Sequence, residues 1–222
     1  MYFFPTRTVV GALLEFQGAW QALEPVMAQP PHLRPPVHPV LYIKPANTWA
    51  RHGDTVLLPP DVAEVEVGAT LGISFARAAS RVNAAQALSH VAGYCIVNDV
   101  TVPHQSLLRP PMRQKCRDGF CPIGPWVSAS ELPDPGTLEI RSYVNGELRQ
   151  RSRTTQLRRS VAQLIADVSE FMTLAPGDLL LIGVDTQPAR ARAGDTMAVE
   201  IDGMGRLENP LQAETVTLPE AA

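Results

Sequence analysis

The sequence is short of several things, and each shortage narrows the field. It has no unbroken apolar run of about 18 residues, so nothing in it reads as a membrane-spanning helix. Its first residues, MYFFPTRTVVGALLEF, lack a basic start and are broken by Pro5 and Arg7, which makes a poor signal peptide. The three cysteines, Cys95, Cys116 and Cys121, are an odd number without a C-x-x-C pair, so they are expected to be reduced packing thiols in the cytosol. The net charge is only −3, which gives no general attraction to nucleic acid. Aromatic residues make up 6% while prolines number 21, a balance that favours a loop-rich, mainly β body over a helical bundle.

What is present suits one large soluble domain: 222 residues, 45% hydrophobic and 18% charged. Residues 1–39 read as an N-terminal strand, helix and proline-rich linker. Residues 40–212 read as the body, and 213–222 as a tail. Within the first segment, Thr8–Leu14 suits a strand and Ala19–Met27 a helix ending near Pro30. Extended chain is expected from Pro25 to Pro39. Strands follow at Val40–Lys44, ended by Pro45, at Val56–Leu58 and along Val62–Phe75, where Glu64 and Glu66 share a face. Ser80 is placed to cap a helix carrying Val82, Ala85, Leu88 and Val91. Tyr94–Val97 is the next strand. Asn145-Gly146 is the favoured turn for a hairpin over Leu138–Ser152. Ser160 caps a helix whose Val161, Leu164, Ile165, Val168 and Met172 form one apolar stripe. Buried strands are expected at Leu179–Ile182 and Met197–Ile201, with Gly203 to Pro210 closing the body.

The unusual residues gather in GYCIVNDVTVPHQSLLRPPMRQKCRDGFCPIGPW, residues 93–126. Asp99 ends a buried strand, a costly place for a carboxylate without a cation, a metal or several N–H donors. Sixteen residues on, Lys115 sits in a basic cluster with Arg109, Arg113 and Arg117. A glycine–proline frame follows, Gly119 to Pro125. These residues suit a site for a small anionic molecule, or equally a salt-bridged turn beside an ordinary strand. Arg109, Arg113 and Arg117 are the candidates for binding its anionic groups. Arg141, Arg149, Arg151, Arg153, Arg158 and Arg159 suit a solvated face or an interface rim better than a ligand cradle. His104, after Pro103, reads more readily as a loop residue than as a base.

In order along the chain, GYCIVNDVT, Lys115 with DGFCPIGPW, VNGELRQ, VSEFMTLAPGDLLLIG and IDGMGRLENP resemble the fumarylacetoacetate hydrolase family. Within it, KCRDGFCPIGP (115–125) and IKPANT (43–48) are most similar to the branch of bifunctional isomerase/decarboxylases of 4-hydroxyphenylacetate (homoprotocatechuate) breakdown, its N-terminal half or small subunit. The resemblance implies an α+β, mainly β fold, a rolled mixed sheet with a few flanking helices, usually dimeric. It implies carboxylate-held Mg²⁺ or Mn²⁺ and an oxo-acid substrate whose dienolate the metal stabilises as a Lewis acid. Asp99 matches the family's metal-binding Asp, and Asp99 and Lys115 would be the catalytic pair.

Several positions depart from the family pattern. Gly68 and Thr70 occupy the places of its two metal-binding glutamates. Glu64 and Glu66 have the right spacing but lie four residues upstream, about 13 Å at the usual strand rise, and serve as ligands only if the strand register shifts. Val10–Glu15 lacks the family's histidine, Val102-Pro103-His104 replaces Ala-Arg-Asp, and Ile182–Asp185 replaces Thr-Gly-Thr-Pro. The expectation is a lone acidic group facing a lysine, with weak or absent metal. The chain is then a subunit of an isomerase/decarboxylase acting on 2-oxo or 2-hydroxy unsaturated di- or tricarboxylic acids. Alternatively it is a non-catalytic scaffold pairing with a metal-bearing paralogue. The assembly expected is a homodimer, or a hetero-oligomer with such a paralogous subunit. Acylpyruvate-type C–C hydrolysis is weaker without the histidine.

Overall fold

Alternating and continuous apolar runs dominate this chain, and the computed structural model turns them into three sheets. It describes residues 4–30, 33–104, 111–132 and 134–215. In chain order the elements are β1 (Val9–Leu13), α1 (Gln17–Met27), β2 (Val40–Lys44), β3 (Trp49–Arg51), β4 (Val56–Leu58), β5 (Val65–Val67), β6 (Ala69–Phe75), α2 (Ala84–Ala87) and β7 (Val91–Asn98). Then come α3 (Met112–Lys115), β8 (Cys121–Ser128), β9 (Glu139–Val144), β10 (Glu147–Arg153), α4 (Val161–Ser169), β11 (Leu179–Leu181), β12 (Ala189–Ala191), β13 (Thr196–Ile201) and β14 (Gly205–Ala213). The fold is mainly β, with curled mixed sheets and few helices.

A seven-stranded sheet runs β2-β1-β11-β6-β7-β8-β3, a five-stranded sheet runs β10-β9-β13-β14-β4, and β12 pairs with β5. Pairing is mostly antiparallel, with parallel pairs at β1–β11, β3–β8 and β4–β14. The main core lies between the two large sheets and α4, and includes Leu71, Ile73, Ile96, Leu180, Val199 and Leu207. A smaller cluster, with Val9, Cys95, Val97, Cys121 and Leu179, covers the opposite face of the large sheet. Coverage on both faces explains why β6 is buried at every position and reads as a continuous apolar run.

The hairpin turns at Asn145-Gly146, both with positive φ, as a type I′ turn requires. The Ser160 side chain caps α4 by accepting from the Gln163 N–H. Three expectations need correction. The helix expected from Ser80 is only Ala84–Ala87, capped by Asn83, because Arg81 takes a left-handed φ of 51° that no helix start tolerates. The helix α1 runs through Pro25 to Met27, and the chain turns at 28–30, so the extended stretch expected from Pro25 does not start there. Asn209-Pro210 lies within β14, the last strand described, and forms strand where a turn was expected. Pro210 falls where pairing with β13 ends, just before pairing with β4 begins at Leu211, so the sheet lacks no donor there. β1, placed by sequence in the N-terminal segment, lies between β2 and β11 in the large sheet.

Candidate active site

The stretches around Lys44 and Lys115, 71 residues apart, form one clasp. Asn47 donates to Cys116 O at 3.1 Å and to Asp118 Oδ1 at 2.7 Å, and accepts from the Gly119 N–H at 3.0 Å. Gly119 permits the turn with a φ of +73°. The short helix α3 is pinned to the end of β7 by the bond from Val102 N to Gln114 O, 2.9 Å. These contacts bring Lys115 under Asp99.

Asp99 is fully buried. Its Oδ2 accepts from Tyr42 Oη at 2.5 Å and from Lys115 Nζ at 2.6 Å. Its Oδ1 lies 2.7 Å from Lys44 Nζ. Lys44 is itself fully buried and donates to the carbonyls of Val100 (2.9 Å), Lys115 (2.7 Å) and Phe120 (2.8 Å). Those three bonds use all its protons, so its contact with Oδ1 is an ion pair without a hydrogen bond, and Oδ1 has no hydrogen-bond donor. Lys115 also donates to Thr101 Oγ1 at 2.8 Å and sits 4.4 Å from the centre of the Tyr42 ring. The lone acid facing one lysine becomes one carboxylate between two ammonium groups.

The electrostatics follow. Burial pushes the Asp99 carboxyl upward, but Lys115 and Lys44 more than offset it and hold it at about 2. Burial drives Lys115 down, against the pull of Asp99 and with the help of Lys44. Tyr42 is pushed well up, first by burial and then by the Asp99 charge.

The strand register extends past β6. Asp99 N donates to Gly68 O at 2.8 Å, Thr70 opposes Val97, and Glu66 opposes Thr101. Gly68 and Thr70 therefore lie along the Asp99 strand, and Glu66 is one pleat further out. A Cβ at Gly68 would meet the Asp99 carbonyl oxygen at 2.2 Å, so no carboxylate fits there without moving β7. Thr70 offers one neutral hydroxyl, buried and without a partner. Glu64 pairs with Arg190 and Arg192, each at 3.3 Å, and Glu66 pairs with Arg190 at 3.1 Å. Burial raises Glu66, with Arg190, Lys115 and His104 pulling it down. Among the described residues no three His, Cys, Asp or Glu converge. Mg²⁺ or Mn²⁺ needs about six oxygen ligands, several of them anionic, and here the one central carboxylate is already occupied by cations. The residues do not fit a divalent metal.

The candidate substrate arginines fall elsewhere. Arg113 binds Asp61 at 2.9 Å and Arg117 binds it at 3.1 Å, while Arg109 lies outside the described residues. Arg141, Arg149, Arg151 and Arg153 pair with neighbouring carboxylates, and Arg159 bridges the buried Glu15 and Asp167, both at 2.9 Å. Sequence reasoning missed Tyr42 and Lys44. The signal was compositional: the whole chain has only two lysines, and Lys44 is one of them.

A curled mixed β fold around a buried Asp–Lys pair defines the class, and residues 8–212 match the fumarylacetoacetate (FAA) hydrolase C-terminal family. The chain belongs to that family. It is 38% identical over 207 residues to the 4-hydroxyphenylacetate degradation bifunctional isomerase/decarboxylase of Salmonella dublin, an alignment covering 93% of this chain and 47% of that protein. The chain thus spans about half the length of the curated isomerase/decarboxylases it matches. Among solved structures it resembles 2-hydroxyhepta-2,4-diene-1,7-dioate isomerase from Mycobacterium marinum, with TM-score 0.79, 30% identity and coverage of 96% of this chain and 77% of that one. It also resembles fumarylpyruvate hydrolase from Pseudomonas aeruginosa in complex with Mn²⁺ and pyruvate, with TM-score 0.81, 27% identity and coverage of 95% and 91%.

Proposed function

We propose that this chain is one half of a cytoplasmic isomerase/decarboxylase of aromatic catabolism, acting on 2-oxo or 2-hydroxy unsaturated di- or tricarboxylic acids. The substrates in view are 5-oxopent-3-ene-1,2,5-tricarboxylate for decarboxylation and 2-hydroxyhepta-2,4-diene-1,7-dioate for isomerisation. Similarity to the bifunctional enzymes and to the dienedioate isomerase supports the reaction class. The observation that carries the reading is the Asp99–Lys115 contact of 2.6 Å, a buried acid–base pair held in a net positive cluster. Both reactions pass through a dienolate, and an ammonium group beside the 2-oxygen stabilises that charge or moves its proton. The test is CO₂ release and dienol absorbance with the purified chain. Lys115→Met should lower turnover by about 10²-fold or more.

The sealing of Asp99 by Lys44 favours a second reading. In it the chain is a scaffold that pairs with a homologous, metal-bearing half, and that half performs the chemistry. Activity that appears only on mixing the two halves, and survives Lys115→Met, selects the scaffold. No activity in either arrangement overturns both readings.

A further inference from the structure

The chain has five asparagines, and only Asn145 is followed by glycine. Glycine carries no side chain to keep its backbone nitrogen away from the asparagine side-chain carbonyl carbon, so this pair closes an imide ring more readily than any other. Asn145-Gly146 is also the exposed tip of the β9–β10 hairpin, with φ of 53° and 79°. A Cβ at Gly146 would meet nothing within 4 Å among the described residues. Local chemistry and access both favour the ring.

The fold opposes it. Both ends of the Asn145 amide are held by the turn that leads into β13. Nδ2 donates to Asp195 Oδ1 at 2.7 Å, and Oδ1 accepts from the Thr196 N–H at 2.8 Å. The Asn145 N–H donates to Thr196 O at 2.9 Å, so backbone and side chain are anchored to one turn. Asp195 is itself fixed. Its Oδ2 accepts from the Arg192 N–H at 2.7 Å, its own N–H donates to Arg192 O at 3.0 Å, and its carbonyl accepts from the Leu211 N–H at 2.8 Å. The Asn145 side chain folds back onto Gly146 only by leaving two bonds, one of them to a carboxylate.

We propose that Asn145 is a deamidation site, held shut by its clasp on Asp195 in the folded chain and released when that clasp opens. Hydroxide removes the Gly146 N–H proton, and the nitrogen lone pair attacks Asn145 Cγ. An N–C bond forms, the Cγ–Nδ2 bond breaks, and Nδ2 leaves as ammonia after taking a proton from water. A second water opens the cyclic imide at either carbonyl, which leaves aspartate or isoaspartate at position 145. The overall change is hydrolysis of an amide, with no oxidant or reductant. The product does not rebuild the clasp. A carboxylate now stands where an N–H met Asp195 Oδ1 at 2.7 Å, and like charges that close repel. The isoaspartate form also lengthens the backbone of a two-residue turn that sets the hairpin register. One opening is thus converted into a lasting separation of the β9–β10 tip from the β12–β13 turn.

The test incubates the full chain at mildly alkaline pH, in native buffer and in denaturant. Peptide mass spectrometry follows the mass gain at each asparagine, and an isoaspartyl methyltransferase assay follows the isomer. The expected result is conversion at Asn145 in denaturant and far slower conversion in native buffer. Asp195→Ala, checked as folded by circular dichroism, should raise the native rate by roughly tenfold or more, the factor that one hydrogen bond to a charged group is worth. If that variant fails to fold, the unaltered chain decides alone, and equal rates in native buffer and denaturant overturn the clasp. A folded Asp195→Ala that converts no faster than its parent also overturns the proposal. So does an Asn145 that stays intact even in denaturant.

Discussion

Gly11 and Tyr42 oppose each other across the β1–β2 pair, and the phenol ring occupies the space that any side chain at position 11 would need. A Cβ there would lie 2.2 Å from the ring. This absence lets Tyr42 lie across β1 and place its hydroxyl on Asp99. Gly11→Ala should therefore displace the ring, break the Tyr42–Asp99 bond and cost about 1–3 kcal/mol by overpacking. Denaturant unfolding of the variant, set beside Tyr42→Phe, separates the steric cost from the lost hydrogen bond.

Lys44 should be the least replaceable cation in the chain. Lys44→Met leaves three buried carbonyls and Asp99 Oδ1 facing an apolar side chain. Breaking a buried ion pair from one side costs about 3–5 kcal/mol. Lys44→Arg should also destabilise, because a planar fork cannot serve four oxygens gathered around one point. Equilibrium unfolding of both variants checks this, and a neutral Lys44→Met would contradict the role of Lys44 as the cation that satisfies these oxygens.

Divalent metal should not contribute to the fold. Titration calorimetry with Mn²⁺ is expected to show no stoichiometric site, and EDTA should leave the thermal midpoint unchanged. Gly68→Glu should not create a site, because its Cβ would meet the backbone of Asp99 before the carboxylate reached any ion. Tight binding abolished by Asp99→Ala would refute the reading of the cluster as closed to metal.

Acid should destabilise the fold in part through Asp99. Its folded value of about 2 lies below its ordinary 3.8, so its contribution is present above 3.8 and is lost as pH falls toward 2. That window corresponds to a contribution on the order of 2 kcal/mol. In Lys115→Met the first of the two lowering ammonium groups is gone and the folded value rises. The acid transition of the variant, followed by circular dichroism, should therefore begin at higher pH than that of the parent.

The elements legible in the sequence are those specified by neighbours along the chain. Asn145-Gly146 and Ser160 carry their turn and cap locally, so the hairpin and α4 fall where the pattern puts them. β14 was hidden by Gly203, Gly205 and Pro210, residues that signal a turn until β13 and β4 flank them. Asp99 and Lys115 stand out as charges in or beside apolar runs. Lys44 does not: a lysine before a proline at a strand end looks solvated, and only the carbonyls of Val100, Lys115 and Phe120 make it a buried charge. Those partners lie 56 to 76 residues away, beyond any local pattern.

Because both lysines are enclosed, the folded chain offers bulky acylating reagents almost no side-chain amine. Carrier coupling, amine cross-linking and lysine-directed conjugation should all be slow on the native molecule and quicken once it opens. Amine labelling would then serve as a clock for unfolding, with Lys44 as its most protected mark.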